Sequence, residues 1–371
     1  MTTQLRHWRD AATVILAAKS APSISKTVLP PHLASAAAKY DYRVLMLKRS
    51  GQSKFMPNTH VFPGGVVHDS DYSETWLKCA PIKRRNVKMQ MSSIPPIFYN
   101  DTPSSVLPHI ALGICAVRET FEEAGILLCL DHNGQSVTKG SLNSPDVKSW
   151  RYKVNSDASQ FLCMCQELNI VPDLDGIKLW SDWLTPNHMR KLAPTSGRRF
   201  DTLFYFYGIS EEPEALHDNQ ETTDSQWSTP VEILYHHRVG NHWIAPPQQY
   251  EFCRLAHFKR FRDLCEFAQQ REQHGAQRWL PVRTTCTDGT VSLLPGDCLY
   301  PEDVDLYGER EMPEIKQPIE QTRSHDSSLN RVEIFGPHNI IVRSNTADPC
   351  GHRTPLCEEI IFEDVVQAEL G

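Results

Sequence analysis

Apolar positions change period several times along this chain, and each change marks an element. Residues 11–18 (Ala-Ala-Thr-Val-Ile-Leu-Ala-Ala) are an unbroken apolar run of strand length, the pattern of a strand buried on both faces. Behind the charged lead Leu5-Arg6-His7-Trp8-Arg9-Asp10, the same run also has the form of a signal-peptide core or part of a mitochondrial presequence. The strand is the preferred reading, because the cysteine pattern disfavours secretion. Residues 42–49 form a second strand with polar ends. Ile114, Val117, Phe121 and Ala124 recur at helical spacing and predict a helix from about Leu112 to Ala124, which Gly125 ends. Residues 126–130 lead out of it as a strand. The Trp- and Leu-rich stretch 149–184 reads as two helices packed on the core. Residues 198–207, aromatic and apolar, read as the strongest strand, lying beside the first ones in a central sheet. Further on, 250–270 predicts one amphipathic helix, 292–297 a strand ending in a turn, and 331–335 with 339–343 a final hairpin. Residues 301–330 are acidic and polar and are expected to be mobile.

The 112–124 helix carries the chemistry. Glu119, Glu122 and Glu123 are related by three and four positions, so a helix puts them on one face. Carboxylates that close repel one another and raise each other's pKa unless a cation is held between them. Hard divalent ions such as Mg²⁺ take such oxygen ligands, usually together with substrate phosphates. Arg118 is adjacent and can orient one carboxylate; the bland alternative is a solvated acidic face. Upstream, Val61-Phe62-Pro63-Gly64-Gly65-Val66-Val67 puts a Gly-Gly turn after a strand-like run, where a backbone can approach a phosphate closely.

Together these two stretches resemble the halves of the Nudix box, which reads Gly, five residues, Glu, seven residues, then Arg-Glu-U-x-Glu-Glu-x-Gly-U, with U aliphatic. Gly65 is followed after five residues by Asp71, and the second half is Arg118-Glu119-Thr120-Phe121-Glu122-Glu123-Ala124-Gly125-Ile126. Asp71 replaces the first Glu, Thr120 stands at an aliphatic position, and a long insertion (72–111) splits the box. Its Lys83-Arg84-Arg85 and Lys88 read as a solvated basic loop, with some helix at 75–79. The stretch from Arg49-Ser50 through Lys54 and Asn58 to Phe62-Pro63-Gly64-Gly65 keeps every interval of the segment that coenzyme A-cleaving Nudix enzymes place before their box. Arg49 and Lys54 would face the 3′-phosphate or pyrophosphate of a nucleotide. With the long split and the Arg198-Arg199-Phe200-Asp201-Thr202 strand, the chain resembles the acyl-coenzyme A diphosphatase branch of the Nudix hydrolases.

That resemblance implies an α/β/α sandwich around a mixed sheet and hydrolysis of the pyrophosphate in coenzyme A or acyl-coenzyme A. Mg²⁺ or Mn²⁺ would sit on Glu119, Glu122 and Glu123, with Arg118 fixing Glu119. The backbone of Phe62, Gly64 and Gly65 would lie against metal and phosphate. Nudix proteins commonly have a Trp-x-x-Pro-x-Glu element opening a second helix, here Trp227 to Glu232, and a further carboxylate before it; Glu221 is the candidate base and Asp224 the reserve. The alternatives are a Nudix hydrolase for ADP-ribose, a dinucleotide or capped RNA, and a silent Nudix fold used for binding, which the three intact carboxylates disfavour.

Composition narrows this further. A formal net charge of −7 argues against bulk nucleic-acid binding, and no apolar run is long enough to span a membrane. The eleven cysteines are scattered without CxxC pairs, as free thiols in a reducing compartment would be, and Cys163-x-Cys165 is a weak metal or redox signal. The resemblance places the branch in mitochondria or peroxisomes; the last residues, Ala-Glu-Leu-Gly, are unlike a Ser-Lys-Leu peroxisomal signal, and the cytoplasm stays open. The expected organisation is a Nudix domain over 8–245, with the box insertion and a helical insertion at about 149–190, then an extension over 246–371. Its partner is a small-molecule substrate, and a homo-oligomer is left open.

Overall fold

The computed structural model describes residues 8–20, 29–53, 56–99, 104–138, 145–187, 199–216, 221–323 and 327–367. Its centre is an eight-stranded mixed sheet. β1 (Trp8–Lys19) runs parallel to β8 (Arg199–Ile209) and antiparallel to β2 (Tyr42–Arg49) and β4 (Gly64–Val66). β3 (His60–Val61) and β9 (Thr222–Ser228) both pair with β2, while β7 (Lys178–Leu184) lies outside β8 and β10 (Arg278–Trp279) outside β7. Residues 11–18 of β1 are apolar except for Thr13 because both faces of the strand are covered there. Ala12, Val14, Leu16 and Ala18 join one core and Ile15 and Ala17 the other. The run at 11–18 is therefore the strand that periodicity implied.

On the first face lies the helix Pro108–Ala124, which packs Ile110, Ile114, Val117 and Phe121 against β1 and β8. It starts a full turn earlier than periodicity suggested, since Pro108 occupies its first turn, where the missing N–H costs nothing. It ends at Gly125, whose φ of 71° is the left-handed conformation that favours glycine. Helices Pro145–Ser156 and Gln160–Glu167 cover its flank, and the strands β5 (Cys129–Asp131) and β6 (Ile170–Pro172) form a small ribbon beside them. The strand leading out of the long helix is thus shorter and later than 126–130. Within the box insertion, the helix expected at 75–79 is a 3₁₀ turn at Glu74–Lys78, and a short helix at Ala80–Arg85 replaces part of the expected loop.

Two expectations fail for identifiable reasons. Residues 178–184, read as helix, are β7. The three-residue spacing of Trp180 and Trp183 mimics a helical stripe, but a register shift between Leu179 and Ser181 turns both indoles to one face. There the indole N–H groups of Trp180 and Trp183 and the Ser181 hydroxyl all donate to the buried Glu251 carboxylate, at 2.8, 2.9 and 2.8 Å. Residues 250–270 are two helices, Pro246–Leu255 and Phe261–Arg271. The break is made by a distant segment. The Tyr42 and Tyr40 hydroxyls donate to the carbonyls of Leu255 and Ala256, and Asp41 accepts from the amide of Phe261. Apolar spacing continues across the break, so the sequence hides it.

The second face of the sheet is covered by these two helices and by Pro230–Arg238, which Thr229 and Glu232 cap reciprocally. The extension adds a four-stranded antiparallel sheet of β11 (Val282–Cys286), β12 (Gly289–Leu293), β13 (Asn330–Gly336) and β14 (Asn339–Ser344), the last two being the expected hairpin. The acidic segment before β13 is packed in place. Ile319 is fully buried, the amide of Thr285 in β11 donates to the Pro313 carbonyl, and the amide of Ile315 donates back to the Thr285 carbonyl. Among the described residues no helix is long and apolar enough to cross a membrane.

Candidate active site

Arg118 is the hub of the site. Its guanidinium is buried and grips Asp71 with two parallel hydrogen bonds, Nε to Oδ1 at 3.0 Å and Nη2 to Oδ2 at 2.9 Å. Its remaining edge donates from Nη1 to Glu119 at 2.9 Å and to Glu122 at 2.6 Å. One planar cation thus fixes three carboxylates, a task that suits the rigid fork of arginine and not the point charge of lysine. Asp71 is itself held by the amide of His68 at 2.9 Å, inside a 3₁₀ turn directly after β4. The shorter aspartate therefore serves where the family pattern has glutamate, and the insertion that follows leaves this ion pair closed.

The Gly64–Gly65 turn abuts the helix. The amide of Gly64 donates to Glu123 at 2.8 Å. A Cβ on Gly64 would stand 2.4 Å from the Ala12 carbonyl oxygen, so glycine is required there for the strand to lie flat on β1. A Cβ on Gly65 would stand 2.5 Å from Cδ of Glu119. The obstacle differs in kind: Gly64 faces backbone, whereas Gly65 faces the end of a side chain. Gly65→Ala is accordingly expected to push Glu119 aside and lower kcat by about 10- to 100-fold, with a melting temperature close to wild type. Gly64→Ala should instead lose folded protein. Thermal melts and steady-state rates on the two variants check this contrast.

The carboxylates carry more negative charge than Arg118 neutralises. Burial pushes Glu119 up to about 8 against the pull of Arg118, with Glu122 adding to the rise. Glu122 is raised by burial against Arg118, with Asp71 and Glu221 adding to the rise. Glu123 is raised by burial and by Glu119, and Arg49 opposes the shift. Among the described residues no three acidic, His or Cys side chains already converge as a finished metal cage. Glu119 and Glu122 are folded onto Arg118, and Glu123 onto Gly64. The donor set nevertheless fits a hard divalent cation. All donors are carboxylate oxygens on one helix face, their high proton affinity marks uncompensated charge, and a Mg²⁺-type ion leaves several positions to water and phosphate.

The other sequence candidates fall into place unevenly. Arg49 ends β2, is held to Ser53 by hydrogen bonds of 3.2 and 2.8 Å, and lies near enough to lower the proton affinity of Glu123. Glu221 lies close enough to raise Glu122 and Glu123, and its carbonyl accepts from Ser50 at 2.8 Å. Asp224 stands apart, opposite Lys48 and acting on His242. Phe62 is a core residue, with its ring against Phe204 and Phe252, so only its backbone faces the turn. Lys54 lies outside the described residues. The basic cluster sits at the far end of the helix, where His109 Nε2 donates to the Arg85 carbonyl at 3.2 Å and the Arg85 guanidinium pairs with Asp175. Sequence reasoning missed Arg151, whose guanidinium reaches the carbonyl of Glu122 at 2.9 Å. No local motif announces it.

Comparison with known proteins shows the family. A family model described as the NUDT19 Nudix domain matches residues 8–255, and one described as the NUDT19 C-terminal domain matches residues 283–345. A Gallus gallus protein named acyl-coenzyme A diphosphatase NUDT19 is 39% identical over 378 residues, covering 96% of this chain and 97% of its own length. The proteins of that name from Xenopus laevis and Homo sapiens are 39% identical over 330 residues and 34% over 363, covering 84% and 91% of this chain and 86% and 93% of their own. The first match runs from β1 through both halves of the split box to the end of the helix Pro246–Leu255, and the second spans the added sheet: the chain belongs to the Nudix family, in its NUDT19 branch.

Proposed function

We propose that this chain is a metal-dependent diphosphatase of coenzyme A and acyl-coenzyme A. Water attacks one phosphorus of the pyrophosphate, the bridging P–O bond breaks, and the products are 3′,5′-ADP and (acyl-)4′-phosphopantetheine. The observation that carries the reading is the Arg118 fork on Asp71, Glu119 and Glu122, in a chain whose relatives bear the name acyl-coenzyme A diphosphatase.

Glu119, Glu122 and Glu123 would hold Mg²⁺ or Mn²⁺, which supplies charge neutralisation at the pyrophosphate and a more acidic water. Arg118 keeps two of these carboxylates from swinging away. Glu221 takes the proton of the attacking water as general base and returns it to solvent. The Gly64–Gly65 backbone admits a phosphate close to the helix, and Arg49, with Lys54, pairs with the 3′-phosphate. The eleven free cysteines fit a reducing compartment, and we place the activity in mitochondria or peroxisomes, as the resemblance implies.

Arg49 makes the substrate class testable. Arg49→Ala is expected to raise KM for coenzyme A about tenfold, the loss of one charge-assisted contact, and to change KM for dephospho-coenzyme A much less. ADP-ribose should be a poor substrate of the wild-type chain. Faster turnover of ADP-ribose than of coenzyme A would assign the box to another nucleoside diphosphate derivative.

A further inference from the structure

The last turn of the Pro108–Ala124 helix presents carbonyls that have no partner within the helix. The Phe121 carbonyl keeps a regular helical bond, and the three after it are met by other segments. Phe121 accepts from the amide of Gly125 at 2.9 Å. Glu122 accepts from Arg151 Nε at 2.9 Å, Glu123 from the Thr222 hydroxyl at 3.4 Å, and Ala124 from the amide of Leu216 at 3.0 Å. Arg151 also donates from Nη2 to the carbonyl of Leu216 at 2.7 Å. Thr222 directly follows Glu221 in the chain, and Leu216 lies five residues before it. The chain is therefore fastened to the end of the helix that bears Glu119, Glu122 and Glu123 at Leu216, ahead of Glu221, and at Thr222, directly after it.

Arg151 comes from the helix Pro145–Ser156, an element to which the mechanism above gives no part. Its guanidinium spans two carbonyls on separate elements, one on the carboxylate helix and one on the Glu221 segment, with donors in a fixed fork. Its charge also lies at the negative end of the helix dipole, which strengthens the bond to the Glu122 carbonyl.

We infer that Arg151 is a positioning residue of the hydrolytic reaction: it sets the register of the Glu221 segment against the carboxylate helix. The inference rests on the reading of Glu221 as the base. It gives the helical insertion a role at the site without any contact to substrate. A shift of about 1 Å in a reacting group costs on the order of a hundredfold in rate, so losing this fork is expected to act on kcat.

The test is a mutant cycle on coenzyme A hydrolysis with Mg²⁺, using wild type, Arg151→Ala, Arg151→Lys, Glu221→Gln and the Arg151→Ala/Glu221→Gln double variant. Arg151→Ala is expected to lower kcat about 10- to 100-fold with KM within about threefold, and Arg151→Lys to recover part of the loss. In the Glu221→Gln background the same Arg151→Ala change should cost less than about twofold, because the residue it positions no longer acts. Equal losses in both backgrounds would make Arg151 a general stabiliser and overturn the inference. So would wild-type kcat in Arg151→Ala, or in Glu221→Gln, while the functional reading stands. A wild-type chain that leaves coenzyme A intact refutes that reading, and the positioning role with it.

Discussion

Glu122→Gln and Glu123→Gln are each expected to lower kcat by a factor on the order of a thousand while the protein stays folded. Each replacement keeps the size of the side chain and removes one negative charge from a crowded face. Without metal the wild-type carboxylates are costly to the fold, since burial and mutual repulsion raise the proton affinity of all three. The sign follows from linkage. A carboxyl whose folded pKa is raised contributes stability below the unfolded carboxylate range and loses it as pH rises through the folded value. For Glu119 that loss extends to about pH 8. At neutral pH the glutamine variants should therefore melt no lower than wild type in the absence of divalent ions. Adding Mg²⁺ or Mn²⁺ should raise the wild-type melting temperature and leave that of Glu123→Gln nearly unchanged. Thermal melts at pH 5 and pH 8, with and without metal, measure both effects. Wild-type turnover in either variant at matched metal concentration would remove these residues from the mechanism.

Arg118→Ala is the second large effect, and it strikes fold and activity together. The guanidinium is buried against Asp71, which is buried in turn, and it also holds Glu119, Glu122 and the carbonyl of Val66. Removing it leaves the buried Asp71 side chain without its cation, a change that costs about 3–5 kcal/mol. Arg118→Lys should recover little, because an ammonium cannot reproduce the paired bonds to Asp71. Asp71→Asn keeps the shape and one acceptor and should lie between the two. Urea unfolding of the three variants orders them. An Arg118→Ala protein as stable as wild type would mean that the fork adds nothing to the fold.

The carboxylate face could be read from the sequence because it is local: positions three and four apart share a helix face wherever that helix packs. β1 could be read because burial on both faces leaves an unbroken apolar run. What stayed hidden depends on contacts between distant segments. The Asp71–Arg118 pair closes across the whole insertion, so spacing alone showed an interrupted motif and not an intact ion pair. The helix over 250–270 is cut by hydroxyls from Tyr40 and Tyr42. The strand at 178–184 was disguised by a bulge that makes an alternating segment look helical. Arg151 acts on backbone carbonyls, which leave no trace in any motif. Phe62 belongs to a family signature for the sake of the core behind the turn, and its ring never faces the site.

The central claim is the bond that is broken. The most direct measurement is to incubate the wild-type chain with coenzyme A and Mg²⁺ and identify the products by chromatography and mass. 3′,5′-ADP and 4′-phosphopantetheine in equal amounts are the expected result. Inorganic phosphate with dephospho-coenzyme A, or coenzyme A left intact with both Mg²⁺ and Mn²⁺, would contradict the account.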